Sequence, residues 1–206
     1  VLGLLLEDTE RTVLEHGYPV PERVMTATST EGNCIHSIDW QPAFDVYQGI
    51  IRDEYGIALT RDNFYQYAVH FPVGMLRANN EVVVRIPVAL ADDGALVCIG
   101  EVPENAVLTL LRAPAADSGE CITRLGRTLG GHQHALGGRH LLAFYCAGRR
   151  MHLGDGALTE LAALQTQTGA AALGGALSLG EIGSTSTWGY PMFHNATLVC
   201  TPWHRA

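Results

Sequence analysis

The sequence predicts an α+β fold: a mainly antiparallel or mixed sheet with helices packed against it. Three observations point there. Apolar runs of strand length recur through the chain, the links between those in 65–112 are too short for helical crossovers, and three longer segments carry apolar residues at helical spacing. The 23 glycines and 9 prolines follow no collagen-like period, so they mark many turns in a mixed fold.

Taken in order, Leu2 to Leu6 form a strand-like run with nothing before it to pair with, so the chain is expected to be a piece of a longer protein. A loop around Gly17-Tyr18-Pro19-Val20-Pro21 follows, then strands at 24–29 and 33–39 separated by Glu31-Gly32. Pro42 opens a helix to about 55, because proline fits a first turn where its missing N–H costs nothing. Phe44, Tyr47 and Ile51, with Ala43 and Ile50, give that helix one apolar face, and Gly56 stops it. Strands are expected at 67–72, 82–86, 95–100 and 107–111, with turns at Asn79-Asn80, Asp93-Gly94 and Glu104-Asn105. A helix at 117–129 starts on a capping box, Asp117 and Glu120, and aligns Ile122, Leu125 and Leu129. A loose Gly/His segment leads to a buried strand at 141–146. A helix at 157–168, a glycine-rich region at 169–183 and a last strand at 196–201 complete the chain. There is no internal repeat, heptad or low-complexity tract.

A chain of 206 residues with 47% hydrophobic content suits one large domain or two small ones. Folding should bury roughly 70% of its unfolded surface. No apolar run reaches the length of a membrane span, and the opening Val-Leu-Gly-Leu-Leu-Leu is too short for a secretory core, so a soluble cytoplasmic piece with no membrane partner is expected. The net charge is −8, and every basic residue is an arginine. Without lysine there is no Schiff-base lysine and no phosphate-loop Gly-Lys-Ser/Thr. Residues 1–104 hold sixteen acids against six arginines, which repels nucleic acid, and the later half has no basic stripe.

The five cysteines are widely spaced with no Cys-x-x-Cys, so they read as buried hydrophobes in a reducing compartment. No dinucleotide fingerprint, Gly-x-Ser-x-Gly or His-Glu-x-x-His is present, and no nucleophile–base–orienter set is readable, so no enzyme and no catalytic residue is expected. His132-Gln133-His134, with His140 nearby, lacks an acid or cysteine at ligand spacing and reads as a solvated loop, not a metal site.

Two segments place polar groups in apolar surroundings. Cys146-Ala147-Gly148-Arg149-Arg150 follows the buried strand, where small residues let a ligand approach and an arginine offers a planar fork. Leu179-Gly180-Glu181-Ile182-Gly183, followed by His194-Asn195, presents a carboxylate between glycines. From the residues alone, Arg149 and Glu181 are either a structural bridge, with Asn195 capping a turn, or parts of a site.

These segments resemble the C-terminal half of the FIST sensory proteins. The matching stretches are Pro42-Ala43-Phe44-Asp45-Val46-Tyr47, Phe71-Pro72-Val73-Gly74, Arg85 with the turn Asp92-Asp93-Gly94, and Gly100-Glu101-Val102-Pro103-Glu104. Cys146 to Arg150, Leu179 to Gly183 and His194-Asn195-Ala196-Thr197-Leu198 complete an ordered set from about residue 24 to 202. By the resemblance, 1–41 is the end of the family's N-terminal module and 42–206 its C-terminal module. Where the family commonly has Tyr-Thr-Tyr-Gly-Glu-Ile, this chain has Leu177-Ser178-Leu179-Gly180-Glu181-Ile182, keeping a hydroxyl at Ser178.

The resemblance implies a cytoplasmic bacterial sensor of a small, amino-acid-like ligand, partnered with a histidine kinase, diguanylate cyclase or chemotaxis receptor. On that reading Arg149 clamps a carboxylate, Glu181 takes an ammonium, and Asn195, Ser178 and backbone near Gly148 and Gly180 fix orientation. Two other readings stay open. One is a nitric-oxide sensor with non-covalent haem on His70, His152 or Cys146. The other is a ligand-free interaction module in which Arg149 and Glu181 form a structural pair.

Overall fold

The computed structural model describes residues 12–112, 119–130, 136–184 and 189–203. The first strands are β1 (Val13–Glu15), β2 (Met25–Glu31), β3 (Cys34–Ile38) and β4 (Gln41–Pro42), followed by α1 (Ala43–Tyr55) and α2 (Phe64–Ala68). Five strands come next: β5 (Val73–Leu76), β6 (Val82–Arg85), β7 (Pro87–Leu90), β8 (Leu96–Cys98) and β9 (Val107–Leu110). Then come α3 (Glu120–Gly130), β10 (His140–Cys146), α4 (Ala147–Leu153) and α5 (Gly156–Thr168). The chain closes with β11 (Ala172–Ser178), β12 (Glu181–Gly183), β13 (Met192–His194) and β14 (Leu198–Trp203). The fold is α+β, as expected.

The chain divides into two compact units. The first takes described residues 12–17, 119–130, 136–184, 189–192 and 197–203, and the second takes 18–112 and 193–196. β2 and β3 lie inside the same sheet as β5 to β9.

The second unit is built on a sheet ordered β6-β5-β9-β2-β3-β8-β7, with β4 paired to β3, and its strand pairings are antiparallel. Helix α1 forms as its spacing dictates: Ala43, Phe44, Tyr47, Ile50 and Ile51 are its buried residues, and Gly56 closes it at φ 68°. Tyr47 Oη donates to the Phe71 carbonyl at 2.7 Å, so its buried hydroxyl is satisfied. The strand expected at 67–72 is instead α2 and the turns after it. Phe64, Ala68 and Phe71 are buried at spacings of four and three, so a helical face outweighs strand alternation here, and β5 starts only after Pro72.

The first unit carries a sheet ordered β1-β14-β10-β11. β10 pairs parallel with β11 and antiparallel with β14, so this sheet is mixed. Alternate β10 residues Leu141, Ala143 and Tyr145 join Ile122, Leu125 and Leu129 of α3 and Leu164 of α5 in one core. The glycine-rich 169–183 region contains β11 and β12. Gly175 explains how: at φ 149° a Cβ there would lie 1.7 Å from the Ala143 carbonyl oxygen, so glycine lets β11 close on β10. Residues 147–150, expected as an open strand end, wind directly into α4.

The five cysteines are free, four of them buried and Cys34 half-buried. Among the described residues, no helix is long and apolar enough to cross a membrane. The strand expected at Leu2 to Leu6, the Asp117 cap and the His132-Gln133-His134 segment lie outside the described residues.

Candidate functional site

In the first unit, β10 and β11 end side by side, with Cys146 opposite Ser178 in the parallel register. Glu181, the first residue of β12, turns in beneath that shared end. Ser178 Oγ donates to its Oε1 at 2.5 Å and Thr197 Oγ1 donates to its Oε2 at 2.6 Å. The Cys146 thiol and the Thr197 backbone N–H also hydrogen-bond this carboxylate. Glu181 is 3% exposed, and burial raises its pKa above the ordinary glutamate value despite those donors. No cation lies within ion-pair distance of it among the described residues.

Arg149 does not serve Glu181. From the first turn of α4 its Nε donates to Glu160 Oε2 at 2.8 Å and its Nη2 to Glu160 Oε1 at 2.5 Å, while Nη1 donates to the His16 carbonyl at 2.8 Å. Tyr145 Oη adds a 2.5 Å bond to Glu160 Oε2, and burial with this carboxylate pushes the phenol's pKa well up, so it stays a donor. The fork expected to hold a ligand carboxylate is therefore occupied within the unit. The structural bridge considered from the sequence exists, but its acid is Glu160.

Gly148 lies half-buried in α4 beside Arg149, and Gly180 lies half-buried in the bend joining β11 to β12. Asn195 belongs to the second unit. Its Oδ1 accepts from the Ile86 N–H at 3.2 Å and its own N–H donates to the Val84 carbonyl at 3.2 Å, so it is spent along β6. The six expected residues thus divide: Gly148, Arg149, Ser178, Gly180 and Glu181 in one unit, Asn195 in the other.

Two cavities, of ≈ 290 Å³ and ≈ 270 Å³, lie along β10 and β11. The first is bordered by His140, Leu173 and Trp203, the second by Tyr145, Leu161 and Leu177. His70, His152 and Cys146, the axial ligands considered for haem, border neither, and His70 sits in the other unit from Cys146 and His152. Among the described residues, no group of three or more His, Cys, Asp or Glu is placed to hold a metal ion.

A family model for the FIST C domain matches residues 43–184. The chain belongs to the FIST C domain family. Comparison with curated proteins and with solved structures gave no match. FIST domains form a sensory, signal-transduction family and not an enzymatic one. The FIST C match includes Gly148, Arg149, Ser178, Gly180 and Glu181 and stops before Asn195.

The sequence reading missed Glu160 and Thr197. A signal for Glu160 was present: it stands with Ala157, Leu164 and Thr168 on the buried stripe of α5, where an acid requires a buried donor. Thr197 stood within the matching stretch His194 to Leu198, but nothing local tied it to Glu181, which it meets across the fold.

Proposed function

We propose that this FIST C chain senses a small, amino-acid-like ligand in the bacterial cytoplasm, taking the ligand's ammonium at Glu181. It passes ligand state to a signalling partner such as a histidine kinase, a diguanylate cyclase or a chemotaxis receptor. What supports this reading is the buried carboxylate of Glu181, held by two hydroxyls, a thiol and a backbone N–H, with no cation beside it among the described residues. Burying a charge is costly unless it is paired, and a ligand ammonium supplies the missing partner. Position agrees with chemistry, since ligands favour the carboxyl ends of parallel strands and Glu181 lies where β10 and β11 both end. In this reading Ser178, Gly148 and Gly180 border the ligand, and Arg149 holds the end of β10 in place through Glu160.

Residues 1–41 are assigned to the end of the family's N-terminal module and 42–206 to the C-terminal one, with support from a family match that begins at residue 43. A ligand-free interaction module is the second reading, favoured by Leu177, Leu179 and Ile182, which are 62%, 80% and 71% exposed. Calorimetric titration with a panel of amino acids separates the two. Saturable binding that weakens at least tenfold in Glu181→Gln supports sensing. Binding equal in both proteins removes Glu181 from the site, and no binding by any amino acid favours the interaction module.

A further inference from the structure

Arg85, at the end of β6, is 4% exposed and has no carboxylate within 4 Å among the described residues. Its Nε donates to the Glu101 carbonyl at 2.9 Å, and its Nη1 donates to the carbonyls of Val84 at 3.1 Å and Phe193 at 2.6 Å. Three of the five guanidinium donors are thereby used, and among the described residues Nη2 has no acceptor. The Phe193 ring lies 5.7 Å from the guanidinium carbon, and Gly100, at φ 94°, leaves room that a Cβ would take 3.0 Å from both Nε and that ring. Among the described residues no acid forms an ion pair with this charge. Burial lowers the Arg85 pKa, Glu101 is exposed and beyond ion-pair distance, and the nearby Cys98 thiol is pushed up to about 12 and stays neutral.

We infer that Arg85 is the anchor of an anion site in the second unit, where Nη2 receives an oxygen of a small oxyanion, a carboxylate or a phosphate. Carbonyls alone do not call for a permanent charge, because a neutral amide also donates to them without the cost of burying a cation. The three carbonyls instead fix the guanidinium plane and direct its free edge, which is the preorganisation that oxyanion recognition uses. This inference is independent of the reading of Glu181.

The test is a titration of the ¹⁵N-labelled full chain with inorganic phosphate, and separately with acetate, against sodium chloride at matched ionic strength. The Arg85 guanidinium signals are identified by their contacts to the Phe193 ring protons. A saturable shift at Arg85 larger than any other arginine's supports the site, and the more potent anion names the source as phosphate or carboxylate. The same shift must persist in Glu181→Gln, and the backbone amide shifts that accompany it around residue 85 must disappear in Arg85→Lys. An Arg85 response equal to that with chloride, or no response, overturns the inference. The wild-type titration decides it even where Arg85→Lys does not fold.

Discussion

Arg149 and Glu160 form a bidentate ion pair inside the first unit, with contacts of 2.8 Å and 2.5 Å and side chains 3% and 8% exposed. The pair joins α4 to α5, and through Tyr145 and the His16 carbonyl it also holds β10 and the segment after β1. It is a structural bolt at the end of β10, the strand beside β11, and β11 leads to Glu181. Removing one partner leaves a buried charge alone, so Arg149→Met or Glu160→Gln should each cost roughly 3–5 kcal/mol in urea unfolding. Arg149→Met with Glu160→Leu should cost less than the two single losses combined. A single loss below about 1 kcal/mol would mean the pair is solvated.

Glu181 should impose a pH dependence. Burial raises its folded pKa, so the native state holds the proton at pH values where the unfolded chain has released it. Stability from this group is therefore greatest in acid and falls as pH rises from the unfolded value near 4.5 through the raised folded value. Unfolding free energies compared across that range should show wild type losing ground to Glu181→Gln as pH rises. A constant difference would contradict the assignment.

Thr197 is fully buried and donates to Glu181. Thr197→Val keeps the shape and removes the donor, at a cost of about 1.5–3 kcal/mol for a bond to a charged group at pH 7. In acid, with Glu181 neutral, the cost should shrink. Denaturant titration at two pH values reads both.

Which residues were legible in the sequence follows from how local their signal is. Helix α1 was readable because its stripe, Pro42 and Gly56 lie within fifteen residues, whereas α2 was obscured by a run that also suits a strand. Glu181 stood out by its flanking glycines, but its partners did not, because Thr197 reaches it only across the sheet. Arg149 was matched to the wrong acid for the same reason: pairing is decided by which elements stack, and α5 lies against α4.

The two glycines of β11 should behave differently. An added Cβ at Gly174 meets nothing within 4 Å, while at Gly175 it strikes the Ala143 carbonyl. Gly175→Ala should destabilise by roughly 1–3 kcal/mol or more, and Gly174→Ala should stay within about 0.5 kcal/mol. Thermal unfolding of the two variants decides it.

Thiol accessibility gives a further check on the packing. Cys98 and Cys121 are pushed up to about 12 by burial, and Cys146 and Cys200 are equally enclosed. A thiol reagent at pH 8 should titrate Cys34 alone in the native protein and all five cysteines in denaturant. Rapid reaction of a second thiol would show one of the cores to be open.

The central claim is that Glu181 completes its charge with a ligand, and native mass spectrometry of the protein as purified tests it most directly. The account predicts an added small-metabolite mass on wild type and on Gly174→Ala, lost from Glu181→Gln and restored to wild type by the amino acid that binds in titration. A bare mass for wild type that no amino acid changes, or an adduct that Glu181→Gln retains in full, would contradict it.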